Sequence, residues 1–175
     1  MTLEIAQNRP RLRDLPKGKG MIRTKYEVRP YVPADYYKVK DGKPDAKLFL
    51  GVNEEEVARS YSARGVAFTG VVDGEILACA GVVILWPGMG EAWALVTPRI
   101  KDHKFFFHRT TLQYLDLIAQ ENHLDRIQAN VQKDFGAGHR WAMSLGFRPE
   151  GDMLMFFGGM TFTRYGKIYR KGGTP

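Results

Sequence analysis

The stretch from Ile127 to Phe147 restricts the fold more than any other part of this chain. Ile127, Ala129 and Val131 alternate with polar residues, the period-two pattern of a half-buried strand. A polar turn follows, then a short helix that ends Leu145-Gly146-Phe147. Gly146 stands where a helix stop needs positive φ, and Phe147 is placed to pack back on the helix just ended. Strand, turn, helix and glycine stop within about twenty residues imply a layered α/β arrangement.

The rest of the chain reads consistently with that unit. Tyr26 to Tyr31 alternates and leads into Pro33-Ala34-Asp35, a strand followed by a helix start. Lys38 to Lys47, rich in Lys, Asp, Gly and Pro, reads as a loop. Asn53-Glu54-Glu55-Glu56 offers an N-cap and an acidic first turn for a helix through about Arg64. Asp73-Gly74, a turn pair that tolerates positive φ, joins strands Val66 to Val72 and Glu75 to Trp86. Pro87 to Gly90 turns the chain into a strand from Glu91 to Thr97. After a polar loop, Leu112, Leu115, Ile118 and Ala119 mark one face of a helix from about Phe105 to Asn122. The strand Arg126 to Gln132, the helix after Phe135, and strands over Pro149–Phe156 and Thr161–Arg170 complete the series.

At 175 residues the expectation is one domain, residues 22–175, preceded by a basic arm over 1–21. The net charge of +7 sits at the ends. Arg9, Arg11, Arg13, Lys17, Lys19, Arg23 and Lys25 crowd the start, and Arg164, Lys167, Arg170 and Lys171 the finish. No aromatic residues interleave with the N-terminal charges, so nucleic acid is not the expected partner. The longest apolar run, Ile76 to Trp86, is broken by Gly81 and is too short for a membrane span. The polar start of the sequence lacks the apolar run of a secretory signal, so a cytoplasmic protein with no membrane contact is expected. Cys79, the lone cysteine, reads as a small core residue, and His103, His108, His123 and His139 as surface or loop residues without metal-ligand spacing.

This order of elements, with "VDGE" in the hairpin, "WALVTP" in the central strand and "RWAMSLGF" near the end, resembles the Gcn5-related N-acetyltransferase (GNAT) superfamily over residues 22–170. The resemblance implies a mixed α/β sheet flanked by helices, the acyl-CoA N-acyltransferase fold. It implies Glu91–Thr97 parallel to Arg126–Gln132, with the long helix as crossover and a gap that takes the pantetheine arm of acetyl-CoA. Leu95, Val96 and Thr97 would supply backbone groups to that arm, and Asn130 would face it from the next strand. The coenzyme phosphates would meet Lys101, Lys104 and the backbone N–H groups from His103 through Phe105 to Phe106. The acceptor would be an amine, and Glu91 the general base.

Two departures from the family pattern stand out. The loop Arg99 to Phe107 holds no glycine where the family places them, and three consecutive Phe stand there, able to block the phosphate seat or to begin the helix's buried face. The family's proton-donating tyrosine falls on Ala142, beside Trp141, and its upstream asparagine on Phe135. Tyr114, Tyr165 and His139 are the alternatives for that proton. The same departures resemble GNAT-like proteins of phages and prophages, which implies an alternative: a non-catalytic, virion-associated protein that binds a phage protein partner during assembly.

Overall fold

The computed structural model describes residues 24–40 and 53–169. The basic arm over 1–21 and most of the 38–47 loop lie outside them. In chain order the elements are β1 (Tyr26–Pro30), α1 (Pro33–Lys40), α2 (Glu54–Ala63), β2 (Gly65–Val72), β3 (Glu75–Trp86) and β4 (Met89–Val96). A 3₁₀ turn, Pro98–Asp102, leads to α3 (Lys104–Glu121), β5 (Arg126–Gln132), α4 (Gly136–Ser144), β6 (Arg148–Phe157) and β7 (Met160–Ile168). The strands form one sheet in the order β1-β2-β3-β4-β5-β7-β6. All neighbours are antiparallel except β4 and β5, which run parallel with α3 as the crossover between them. Such a pair requires a long connection, and an 18-residue helix supplies it.

Local chemistry sets the boundaries. Asp73 (φ 52°) and Gly74 (φ 84°) both adopt positive φ, the geometry that matches the twist of a two-residue hairpin. The Asn53 side chain accepts from the N–H groups of Glu55 and Glu56 and so starts α2. At the end of α4, the Gly146 N–H bonds to Met143 O and the Phe147 N–H to Ala142 O, with Gly146 at φ 89°. That pair of bonds closes the helix in a Schellman motif, and Phe147 returns to the core.

Several expected boundaries move. The turn before β4 is only Pro87-Gly88, and the strand already begins at Met89. Gly90 is a strand residue because a Cβ there would collide with Val82 and Leu124. Lys38 to Lys40 belong to α1 rather than to a loop. The last strand stops at Ile168 rather than Arg170.

Each face of the sheet covers its own core. On one, α1 and α2 enclose Tyr31, Tyr36, Val39, Ala58 and Cys79, with Trp93 and Leu95 packed against them. On the other, α3 and α4 bring Leu115, Ile118, Ala142 and Leu145 onto Val82, Ile127 and Tyr165. Cys79 is fully buried, and burial pushes its thiol up to about 11, as expected of an inert core cysteine.

Candidate active site

β4 and β5 pair from Met89 opposite Arg126 as far as Ala92 opposite Ala129, and there the ladder ends. β4 continues beside β3 through Val96, while β5 continues beside β7 through Gln132. The two parallel strands therefore part in a V at the centre of the sheet. A cavity of about 740 Å³ fills the V and runs along α3 and α4. Buried backbone groups normally have partners, so strand edges facing such a space form a receptor for an extended, amide-bearing ligand.

Alternation decides which edge groups are available. The Thr97 N–H donates to Leu77 O (2.9 Å) and its hydroxyl to the same oxygen (3.0 Å), while its carbonyl accepts from Ile100. Thr97 is thus committed to β3 and to the 3₁₀ turn. Leu95, two residues earlier, points its backbone the same way, and the groups of Ala94 and Val96 face the gap. Of Leu95, Val96 and Thr97, Val96 has the edge position that sequence reasoning sought for all three.

Glu91 lies at the vertex. It is the third residue of β4 and half-buried, not a solvated strand end. Its Oε2 accepts from Gln128 Nε2 (2.6 Å) and Asn130 Nδ2 (3.1 Å). Asn130 Oδ1 in turn accepts from Arg164 Nε (3.5 Å). Gln128 was not singled out from the sequence, although alternation places it on the same face of β5 as Asn130. Above Glu91 on the same face of β4, the Trp93 ring stacks on Tyr61 of α2, with centroids 3.6 Å apart. Burial, with a further contribution from the Glu91 charge, pushes the Tyr61 hydroxyl up to about 12, so it remains protonated. Trp93 and Trp141 both contribute to the wall of the same cavity, and their Nε1 groups are buried without an acceptor among the described residues.

The start of α3 forms the far end of the cavity. His103 occupies the N-cap position and its side chain caps nothing; its ring nitrogen Nδ1 pairs with the Tyr26 hydroxyl at 3.2 Å. The first N–H groups of the helix, from Lys104 to Phe106, are therefore uncapped by any side chain. Lys101 lines the cavity beside them. The three Phe diverge. Phe105 is 81% exposed, Phe106 stacks on Tyr26 of β1, and Phe107 stacks on Trp141 of α4. Lys104 lies over the exposed Phe105 ring, 5.3 Å from its centroid. The helix end thus keeps its positive dipole and two lysines without glycine in the loop.

The alternatives for the proton donor separate. Tyr114 and Ala142 line the main cavity. His139 and Tyr165 line a second cavity of about 550 Å³ with Lys133, Glu150 and Asp152. There His139 Nε2 donates to Lys133 O (2.9 Å), and its Nδ1 pairs with the Tyr165 hydroxyl (2.8 Å). His103, in the bend before α3, and His139, on α4, have tyrosine hydroxyls and a backbone carbonyl as partners, with no carboxylate or cysteine among them. No group of acids, histidines and cysteine among the described residues could hold a metal.

No protein-family model and no curated protein matches the sequence. Solved structures do match its fold. The ribosomal-protein-S18-alanine N-acetyltransferase of Escherichia coli superposes with a TM-score of 0.68 at 14% identity, covering 85% of this chain and 97% of that one. yncA of Salmonella typhimurium, solved with its cofactor acetyl-CoA, gives 0.65 at 16% identity over 86% and 97%. A GNAT-family acetyltransferase of Streptococcus pneumoniae gives 0.60 at 14% identity over 82% and 99%. With its parted parallel pair at the centre of a seven-stranded mixed sheet, the chain has the GNAT acyl-CoA N-acyltransferase fold.

Proposed function

We propose that the protein is an acyl-CoA-dependent N-acetyltransferase acting on an amine. The observation that carries this reading is the parting of β4 from β5 beyond Ala92 and Ala129, with a carboxylate at the vertex and a cavity of about 740 Å³ in the gap. The residues present fit the coenzyme. The Ala94 and Val96 edge offers backbone partners for an amide-bearing arm. The uncapped start of α3, with Lys101 and Lys104, offers an anion seat.

Acetyl-CoA supplies an acetyl thioester, so that amine and thioester become acetamide and free thiol. Glu91 takes the proton the amine nitrogen must lose. Gln128 and Asn130 hold its carboxylate by donating to one oxygen, which leaves the other able to accept. Among the described residues the cavity offers no counterpart of the family tyrosine at Ala142, and the proton returned to sulfur comes from water or from Tyr114.

Titration calorimetry with coenzyme A and acetyl-CoA is the decisive experiment. Saturable binding of both is expected, followed by release of free thiol when an amine is added. Absence of binding would overturn the transferase reading. One observation favours the alternative of a protein-binding scaffold related to phage assembly. Leu154 and Met155, 80% and 77% exposed, project from the edge strand β6. Coenzyme binding without any acetyl transfer would favour that alternative.

A further inference from the structure

The acceptor end of the cavity is built from one charge and four aromatic rings. Glu91 and Trp93 share a face of β4, and Asn130 shares it on β5 because it bonds to Glu91 across the vertex. The β5–β7 register sets Gln132 opposite Phe162, so Phe162 of β7 lies on that face too. Phe156 of β6 meets Phe162 edge-on, centroids 5.6 Å apart, and both line the cavity. Two aromatic walls therefore border this face of the cavity, Tyr61 with Trp93 next to the carboxylate on β4, and Phe156 with Phe162 at the next same-face residue pair beyond Asn130 and Arg164. Such walls favour a flat apolar body and the cation attached to it.

The charges limit the occupant further. Glu91 is the one carboxylate lining the cavity among the described residues, and Lys101 is the one lysine or arginine lining it. Arg164 approaches the polar floor through Asn130. A ligand with several ammonium groups would find one anionic partner, Glu91, and at that end of the cavity a repelling cation, Arg164. A peptide would have to bury polar backbone between rings that offer few hydrogen-bond partners.

We propose, on the basis of the transferase reading, that the acceptor is an arylalkylamine: a single primary amine set at Glu91 with its ring held between the two aromatic walls. Phe156 is then a specificity-determining residue. At 46% exposure it can be changed without opening the core.

The test begins with acetyl-CoA binding to the full chain, which judges the transferase reading by itself. At saturating acetyl-CoA, thiol release is then compared for 2-phenylethylamine, spermidine and a short peptide with a free amino terminus. The expected kcat/KM for 2-phenylethylamine is about tenfold or more above either competitor, the scale of apolar pocket discrimination. Phe156→Ala should raise the KM for 2-phenylethylamine by about tenfold with kcat and the KM for acetyl-CoA nearly unchanged, and Phe156→Leu should recover most of the loss. Preference for spermidine or the peptide, or equal use of all three, overturns the substrate assignment and leaves the transferase reading standing. If no amine is acetylated, or acetyl-CoA does not bind, calorimetry of the amines decides. Binding of 2-phenylethylamine that Glu91→Gln weakens supports the pocket, and no binding at millimolar amine overturns it.

Discussion

Asp35 and Glu91 are both acids drawn into the fold, and their surroundings differ in one respect. Asp35, at the start of α1, is 1% exposed and receives donors on both of its oxygens. Arg29 bonds both its oxygens (2.7 and 2.8 Å), the Thr69 hydroxyl adds a third bond (2.8 Å), and the Val32 N–H a longer fourth (3.4 Å). Glu91 receives two, both on Oε2, and its Oε1 has no hydrogen-bond partner among the described residues. A saturated carboxylate can only hold structure, because any new ligand must first break a bond already made. A carboxylate fixed by one oxygen and free at the other is oriented and still able to take a proton.

The largest effect should come from replacing the open carboxylate. Glu91→Gln keeps the shape and removes the base, and should lower kcat by about 10²–10⁴-fold. Thermal stability should barely move. A variant that lost stability and kept its turnover would exchange the roles assigned to the two acids.

The converse holds for the saturated site. Asp35→Ala leaves the Arg29 guanidinium and the Thr69 hydroxyl without their acceptor, and should cost roughly 2–4 kcal/mol in denaturant unfolding. That is somewhat below a fully enclosed pair, since Arg29 is partly open to water. Burial alone would raise the Asp35 pKa, but the bonds from Arg29, Thr69 and Val32 outweigh it and hold the group below its ordinary 3.8. A depressed folded pKa means the contribution is present above the unfolded value and lost as pH falls through the lower folded one. Unfolding followed below about pH 4 should therefore show a steeper loss for the natural protein than for Asp35→Asn. Parallel acid slopes would show that Asp35 is not the linked group.

How far each site could be read in advance differs in the same way. Elements with local causes were legible: the Asp73-Gly74 hairpin, the Asn53 cap and the Gly146 stop depend on residues a few positions apart, whereas the α3 crossover joins strands far apart in sequence and was implied only by the resemblance. The start of β4 was misplaced because glycine at 90 suggests a turn until Val82 and Leu124 are seen to press on it. Glu91 was legible as a candidate, but its holding partners are 37 and 39 residues away. Only the alternation of β5, with Gln128 and Asn130 on the face opposite Ile127 and Ala129, hinted at them. The Asp35 cluster had even less local signal, since Thr69 joins it across 34 residues. The divergence of Phe105, Phe106 and Phe107 has no local cause either; it is decided by Tyr26 and Trp141.

A smaller effect is expected at the anion seat. Lys101→Ala combined with Lys104→Ala should weaken coenzyme A by about 1–2 kcal/mol, the lower part of the range for charge-assisted bonds because Lys101 and Lys104 are exposed. The loss should shrink with added salt and should be absent for pantetheine, which lacks the pyrophosphate. An equal loss for pantetheine would move the two lysines from the phosphates to the arm.

The smallest predicted change is also the sharpest test of what separates the two acids. Gln128 is buried and its Nε2 donates to the same Glu91 oxygen as Asn130. If those amides only position the base, Gln128→Leu removes one of two anchors, keeps the volume, and leaves Oε1 free. The expected loss is then about tenfold or less in kcat, equivalent to roughly 1 kcal/mol, with the KM for acetyl-CoA unchanged. Gln128→Glu should do more harm than Gln128→Leu, because a second carboxylate against Glu91 would compete for the proton that Glu91 must take. The order Gln, Leu, Glu in falling activity marks an oriented base. An equal loss for Leu and Glu would mean that the bond from Gln128, not the charge on Glu91, is what the vertex contributes.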